Sequence, residues 1–326
     1  MPASRPESAS TDPLAPLRGQ LGDDGWLEEL GPKHLAMFRP RGDTLLVEFE
    51  ALAPLLRRRS AEPWSAGIAG KRGWSTLTLI SRGRTWFRDD AVFDFFDDLT
   101  DGGFFDGYDR VIFAGAGVKG YAAAAFSVAA PGATVFLCAP FATLDPEETP
   151  WEHRFRGDRS LAFGPRYGYA PDMVDAAARV YLVTDPTEAA DAMHASLFRG
   201  DHVVHLKARH GGPRLGARLE AMGILDDLVA GAEEGSLTPL RFARLWRARH
   251  RDEVWLSNVL RKLDAMRRPW LQAVFAGTMW DRTRSAAARR RLNDALARLK
   301  EVGGKPPAGR QPLPDETREG MLLAGE

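Results

Sequence analysis

The glycine-rich stretch from Gly115 to Tyr121 (GAGVKGY) contains the residue types and spacing best suited to chemistry. It follows a short apolar run, Arg110–Ala114, and precedes an alanine-rich segment, which predicts a strand, a tight turn and a helix. At such a junction the first amide N–H groups of the helix point outward, and the helix dipole adds positive potential. We therefore expect an anion, phosphate or oxyanion site there. Its candidate residues are Gly115, Gly117, Val118, Lys119 and Gly120.

The same glycines allow two other interpretations. Gly115-x-Gly117-x-x-Gly120 has the spacing of a dinucleotide-binding fingerprint between a strand and a helix. That fingerprint expects an acid at the end of the next strand, but Thr134–Cys138 is followed by Ala139. Alternatively, the glycines only permit a tight turn. The residues themselves leave these interpretations open.

Two further residues are candidates for acid–base chemistry. Asp185 follows the strand-like run Arg179–Thr184, and His210 lies in a loop after a later run, His202–Leu206. An aspartate can orient a histidine that acts as a general base. Each residue also has an ordinary explanation, because Asp-Pro sequences start helices and histidines are common in exposed loops.

The stretch from Arg41 to about Leu228 resembles a group of α/β-hydrolase-like bacterial proteins. In that group a strand leads into a G-x-S-M-G-G-Y-A-A nucleophile elbow, and an acid and a histidine follow, each after its own strand. The chain order here, from the elbow to Asp185 and then His210, is the order of that fold. The matching positions are Gly73-Trp74-Ser75, Trp86-Phe87-Arg88, Gly115, Gly120, Tyr121, Ala122, Ala123, Cys138-Ala139-Pro140, Asp191, His194 and Gly211.

The departures from the resemblance concern the nucleophile. Gly117 stands where the group has serine, and Lys119 replaces the next glycine. Glycine adopts the strained elbow conformation at little cost but has no hydroxyl for covalent acyl transfer. The resemblance therefore implies a non-catalytic or altered hydrolase-like protein that binds an anionic or acyl-like ligand without a cofactor. The alternative is an enzyme that uses a water activated by His210 and Asp185.

Neither a reactive thiol nor a metal site is expected. Some relatives in this group are labelled phosphoadenosine-phosphosulfate reductase, a chemistry that needs a reactive cysteine. Cys138 is the one cysteine of the chain and ends an apolar, strand-like run. A single cysteine excludes a disulfide framework and fits the reducing cytoplasm. His202 and His205 are three apart in a predicted strand, so they face opposite sides and do not chelate one ion together with His210.

The elements that must position these residues alternate between short apolar strands and helices. They predict an α/β fold with a mostly parallel sheet covered by helices on both faces. The predicted strands are Thr44–Phe49, Gly73–Ile80, Arg110–Ala114, Thr134–Cys138, Arg179–Thr184 and His202–Leu206. The predicted helices are Asp90–Leu99, Val118–Ala129, Pro186–Phe198 and Pro213–Met222.

We divide the chain into a disordered tail (1–22), an α/β-hydrolase-like domain (23–238), a helical module (239–302) and a second disordered tail (303–326). The module is basic, with Arg267-Arg268 and Arg289-Arg290-Arg291 as its densest points, and it could bind a protein partner. Because the whole chain has zero net charge, nucleic acid is not the favoured partner. No apolar run is long enough to span a bilayer, and we expect no membrane partner. Tryptophans predicted to pack between helices are Trp246, Trp255, Trp270 and Trp280.

Overall fold

A computed structural model describes residues 12–164 and 166–314. Its centre is an eight-stranded sheet with the strand order β1-β2-β4-β3-β5-β6-β7-β8. The strands are β1 (Trp26–Leu30), β2 (His34–Arg39), β3 (Thr44–Ala51), β4 (Ser75–Ser81), β5 (Arg110–Ala116), β6 (Thr134–Cys138), β7 (Arg179–Thr184) and β8 (Val203–Lys207). The helices of the sheet region are α1 (Ala15–Arg18), α2 (Leu52–Leu56), α3 (Ala66–Arg72), α4 (Asp90–Asp101), α5 (Val118–Phe126), α6 (Ala170–Met173), α7 (Ala189–Leu197), α8 (Leu215–Ala221), α9 (Leu225–Glu233) and α10 (Pro239–Leu245).

The sheet is mixed and mostly parallel. β3 to β8 run parallel to their neighbours, whereas β2 is antiparallel to both β1 and β4. The predicted α/β class is confirmed, and two predicted strands, Thr134–Cys138 and Arg179–Thr184, have the observed bounds. The β1–β2 hairpin was not predicted, because the exposed Glu28 and Glu29 of the edge strand β1 interrupt its apolar pattern.

The main core lies on one face of the sheet, beneath α4 and α5. Phe49 and Phe113 of the central strands meet Phe96 and Phe126 of these helices, and the rings of Phe96 and Phe126 stack with centroids 4.4 Å apart. All four side chains are fully buried. Burying each phenylalanine contributes about 2–3 kcal/mol, so this cluster holds the helix that follows the 115–120 turn firmly against the sheet.

The chain divides into two compact units, residues 1–209 with 213–245, and residues 210–212 with 246–326. Helix α10, which falls within the predicted helical module (239–302), is grouped with the first unit. The second unit contains a 3₁₀ segment (Trp246–Arg251) and the helices α11 (Glu253–Ala265), α12 (Pro269–Thr283) and α13 (Ala286–Glu301).

Both predicted tails contain ordered contacts within the described residues. Leu14 and Leu17, at α1, are buried in a small cluster with Leu35, Met37 and other apolar side chains. After α13, Leu313 N donates to Asn293 Oδ1 (2.8 Å), and Asn293 Nδ2 donates to Leu313 O (2.9 Å). Apolar burial at one end and side-chain hydrogen bonds at the other explain why residues 14–17 and Leu313 are held in place despite the Pro-rich and Gly-rich composition around them. Residues 1–11 and 315–326 lie outside the described residues.

Candidate functional site

Gly117 forms a sharp bend between β5 and α5. Its φ of 59° and ψ of −123° lie in a region that residues with a side chain rarely adopt. Its N–H donates to the carbonyl of Cys138 (2.9 Å), and its carbonyl accepts the N–H of Tyr121 (2.9 Å). A Cβ added here would meet no neighbouring heavy atom within 4 Å. Backbone conformation, not lack of room, therefore favours glycine at this position.

Gly115 and Gly120 are constrained for another reason. A Cβ on Gly115 would lie 2.4 Å from the carbonyl oxygen of Lys119. A Cβ on Gly120 would lie 3.2 Å from the carbonyl oxygen of Gly115 and 3.3 Å from Cβ of Pro140. The close packing of the turn itself explains both glycines. Close packing therefore explains Gly115 and Gly120, two of the three glycines of the fingerprint, without a bound dinucleotide.

The strand order places a crevice at this bend. β4 lies on one side of β3 and β5 lies on the other, so the order along the sheet reverses at β3. In open α/β sheets, ligands bind outside the carboxyl ends of the strands at such a switch point. Here those ends are Ala51 of β3 and Ala116 of β5.

A cavity of about 330 Å³, which we call the loop cavity, opens at this crevice. It is lined by Glu50, Ala51, Ala53 and Pro54 at the end of β3, by residues 81–87 at the end of β4, and by Val118 and Lys119 at the start of α5. The first N–H groups of a helix have no acceptor within the helix. The loop cavity therefore combines a helix N-terminus with a largely apolar wall.

Lys119 belongs to a charged cluster beside this cavity. Its Nζ is paired with Oε2 of Glu50, and Nη1 of Arg58 is paired with Oε1 of the same carboxylate at 2.8 Å. The Glu50 side chain is fully buried, whereas about a third of each cationic side chain is exposed (34% for Arg58 and 31% for Lys119). The sequence analysis identified Lys119 but missed Glu50 and Arg58, because strand pairing and α2 bring them to the turn.

A second cavity of about 180 Å³, the sheet cavity, is also lined by Lys119. Arg58, Trp64, Ala116 and Cys138 are among its lining residues. Burial raises the pKa of the Cys138 thiol to about 12. Because the thiolate is the reactive form, this protonated thiol does not suit the chemistry of a sulfonucleotide reductase.

The far wall of the loop cavity is a strained aromatic turn. Trp86 and Phe87 both have positive φ values, 55° and 57°. Trp86 Nε1 donates to Asp158 Oδ2 (3.0 Å), and Thr85 Oγ1 lies 2.7 Å from His34 Nε2. Burial lowers the pKa of His34 to about 4, so this imidazole is neutral at pH 7. Strain held by surrounding contacts is typical of ligand-binding walls.

Glu48 lies two residues before Glu50, on the same face of β3. Burial, with the nearby Glu50 carboxylate second, raises its pKa to about 7. Its Oε1 accepts hydrogen bonds from Ser65 Oγ (2.6 Å) and Thr78 Oγ1 (3.0 Å). Alternating glutamates in a strand usually mark a solvent-exposed face, so the burial of both side chains is not predicted from the sequence.

Asp185 lies where the sequence predicted, directly after β7. Its side chain is buried, and Oδ1 accepts hydrogen bonds from the N–H (2.9 Å) and hydroxyl (2.8 Å) of Thr187. Because of this turn, α7 begins at Ala189 and not at Pro186, where the sequence predicted its start. The carboxylate thus has at least a structural role at the carboxyl edge of the sheet.

His210 follows β8 and is grouped with the second unit. Its φ is 63°, and its carbonyl accepts a hydrogen bond from Asn258 Nδ2 (3.0 Å). His202 and His205 have separate partners, because Nε2 of each lies 3.2 Å from a carbonyl oxygen, of Val174 and Phe198 respectively. In residues 12–164 and 166–314, no group of three or more His, Cys, Asp or Glu side chains could hold a metal.

Asp191 and His194, on α7, form part of a cluster with Glu152 and the half-buried Arg154. Arg154 donates to Asp191 Oδ1 (2.6 Å) and to Glu152 Oε2 (2.7 Å), and His194 Nε2 lies 3.1 Å from Glu152 Oε2. Ala142 N donates to His194 Nδ1 (3.2 Å), so the imidazole proton is on Nε2. Burial lowers the pKa of His194 to about 4. Burial opposes ionisation of Glu152, but hydrogen bonds from Arg154 and His194 hold its pKa at about 2.

In the helical module, Trp246 and Trp255 are buried as predicted. Trp270 is 48% exposed and is not a core residue, because it lies in the first turn of α12 beside an exposed connection. None of the helices in the described ranges is long and apolar enough to cross a bilayer.

Neither a protein-family model nor a curated protein sequence matches the chain. It is similar to an esterase domain of a Rhodothermus marinus protein, with a TM-score of 0.43 and 15% identity over 64% of this chain and 96% of that one. A Pyrobaculum calidifontis esterase aligns with a TM-score of 0.44 and 13% identity over 66% and 85% of the two chains. The capsule O-acetyltransferase of Neisseria meningitidis serogroup A aligns with a TM-score of 0.39 and 9% identity over 62% and 93%. At these values, neither activity carries over to this chain.

Proposed function

We propose that this chain has an α/β-hydrolase-like fold with Gly117 at the nucleophile position, and that it binds a small anionic or acyl-like ligand in the loop cavity. The observation that carries the proposal is the bend at Gly117, with its φ of 59°, open space beside it and a cavity lined by the next two residues. A strand–turn–helix bend of this kind presents the nucleophile in α/β-hydrolases. Here it presents backbone amides and no hydroxyl.

The lining of the loop cavity indicates the kind of ligand. The amides of Val118 and Lys119 suit a carboxylate or an ester carbonyl oxygen at the positive end of the α5 dipole. Apolar groups such as Ala51, Pro54 and Phe87 suit a short aliphatic chain. Because Glu50 neutralises much of the Lys119 charge, we assign most of the affinity to the amides.

The same features argue against acyl transfer through residue 117. Without an Oγ atom there is no group for a base to deprotonate and no acyl-enzyme at that position. Asp185 and His210 then have no nucleophile to serve at Gly117, and Asp185 acts in the β7–α7 turn through Thr187.

Ligand binding is tested by removing one amide. Val118 is the first residue of α5, where proline is tolerated because its missing N–H has no partner within the helix. Val118→Pro should weaken binding of hexanoate, measured by calorimetry, by about tenfold, the usual effect of losing a charge-assisted hydrogen bond. Val118→Ala keeps the amide and should bind nearly as well as the native chain. Equal binding by the proline variant would contradict the proposed contact.

Catalysis is tested separately with p-nitrophenyl butyrate. We expect no hydrolysis above the buffer rate. Hydrolysis that is lost in His210→Ala and in Asp185→Asn would instead establish the competing function, in which these residues activate a water.

A further inference from the structure

One end of the second unit gathers exposed apolar side chains. Asp264, near the end of α11, accepts a hydrogen bond from Arg298 of α13 (2.8 Å), so the carboxyl ends of α11 and α13 are adjacent. The connection from α11 to α12 and the residue after α13 therefore lie together. We call this surface the bundle end; it consists of Met266, Arg267, Arg268, Trp270, Leu271 and Val302.

The apolar members of the bundle end are unusually accessible. Their exposed fractions are 53% for Met266, 48% for Trp270, 43% for Leu271 and 70% for Val302. Within the described residues, seven large apolar side chains are this exposed, and four of the seven are here. Single exposed apolar residues are ordinary, whereas a cluster marks a surface that binds something.

Basic side chains surround this cluster. Arg267 and Arg268 are exposed within it, and Lys262 and Lys300 are exposed one turn or less away. The neighbouring acids are Asp264 and Glu301, and Asp264 is already paired with Arg291 and Arg298. The bundle end is therefore positive as well as apolar.

We propose that the bundle end binds the surface of an anionic lipid bilayer. Trp270, Leu271 and Met266 would enter the boundary between headgroups and acyl chains, where tryptophan and leucine are favoured. Arg267 and Arg268 would keep their guanidinium groups at the lipid phosphates. This departs from our expectation of no membrane partner, which rested only on the lack of a long apolar run.

A nucleic acid explains the surface less well. Its phosphates would pair with the arginines, and a base could stack on Trp270. Met266, Leu271 and Val302 would then stay exposed to water without an apolar partner. A bilayer accounts for the aliphatic and basic side chains together.

The test uses the full chain and sedimentation with phosphatidylcholine vesicles that contain or lack phosphatidylglycerol. The native protein should bind the vesicles that contain phosphatidylglycerol and should not bind the neutral ones. Arg267→Gln with Arg268→Gln should weaken binding by about thirty-fold, the combined effect expected of two surface charges. Trp270→Ala with Leu271→Ala should weaken it by at least about tenfold.

Matched controls lie at the other end of the same helices. Arg282→Gln with Arg290→Gln removes the same charge from exposed positions, and Val254→Ala removes an apolar side chain that is 46% exposed. Both should bind like the native chain. Failure of the native protein to bind anionic vesicles would overturn the proposal, as would equal losses in variants and controls. Binding of single-stranded RNA but not vesicles, lost in the same variants, would identify a nucleic-acid surface instead.

Discussion

Two buried carboxylates in the first unit have similar partners but different surroundings. Glu50 pairs with Arg58 and Lys119, and Glu152 pairs with Arg154 and His194. The partners of Glu50 border two cavities, whereas the His194 ring is enclosed against Phe141 and Trp151, with centroids 4.8 Å and 4.6 Å away. Residue types alone do not distinguish the proposed ligand site from the cluster around His194. The difference is that both partners of Glu50 border cavities, whereas one partner of Glu152, His194, is fully enclosed.

The largest expected difference between the two clusters is in stability. Glu152→Ala leaves the fully buried His194 without its acceptor and removes one of the two carboxylates that pair with Arg154, and should lower the free energy of unfolding by about 3–5 kcal/mol. Glu50→Ala should cost less, about 1–3 kcal/mol, because both of its partners are about one-third exposed and can turn toward water, whereas the buried His194 cannot. Urea denaturation of the two variants measures both values. Equal losses of unfolding free energy would mean that the cavities beside Arg58 and Lys119 do not reduce the cost of removing Glu50.

A second comparison lies within the 115–120 turn, where Gly115 is closely packed and Gly117 has open space beside it. Gly115→Ala places a Cβ against the Lys119 carbonyl and should destabilise the protein by about 3 kcal/mol or more. In Gly117→Ala the new Cβ meets no neighbouring atom, so the only cost is that of the positive φ, about 1 kcal/mol. Thermal denaturation distinguishes them. A larger loss for Gly117→Ala would show that the space beside residue 117 is occupied.

Lowering the pH should destabilise the folded protein through the buried side chains of His194 and His34. Burial lowers both pKa values from 6.5 to about 4, so the unfolded chain binds more protons between these pH values. Stability is therefore fully present above pH 6.5 and is lost as pH falls toward 4, by about 2–3 kcal/mol per histidine. Glu152, with its pKa of about 2, adds a loss below pH 4.5. Glu48 acts in the opposite direction, because its raised pKa makes stability fall as pH rises from 4.5 to 7.

His34→Gln should reduce the slope of stability against pH over this range while Glu48→Gln should steepen it. Chemical denaturation near pH 7 and near pH 5 gives the slopes. An unchanged slope in His34→Gln would mean that the pKa of this imidazole is the same in the folded and the unfolded chain.

The sequence predicted the bend at Gly117 because its flanks are distinctive. An apolar run and an alanine-rich segment on either side leave few conformations for the glycines. Glu50, Arg58 and the 81–87 wall were not predicted, since they reach the bend only through the pairing of β3 with β4 and β5. Glu152 and Arg154 were missed for a similar reason, because they meet His194 across more than thirty residues of chain. Local pattern identifies a turn, but long-range pairing decides what surrounds it.

The smallest expected effect concerns the rim of the loop cavity. Arg84 lines the cavity, but its side chain is 68% exposed and lies 3.6 Å from Asp158. Exposed ion pairs contribute little, so Arg84→Gln should weaken hexanoate binding by less than about threefold, and added salt should abolish the difference. Calorimetry at low and high salt measures both effects, with Val118→Pro titrated in parallel for comparison. If Arg84→Gln weakened binding more than the proline variant, the ligand would be held by the rim charge and the amides of the bend would not be its main donors.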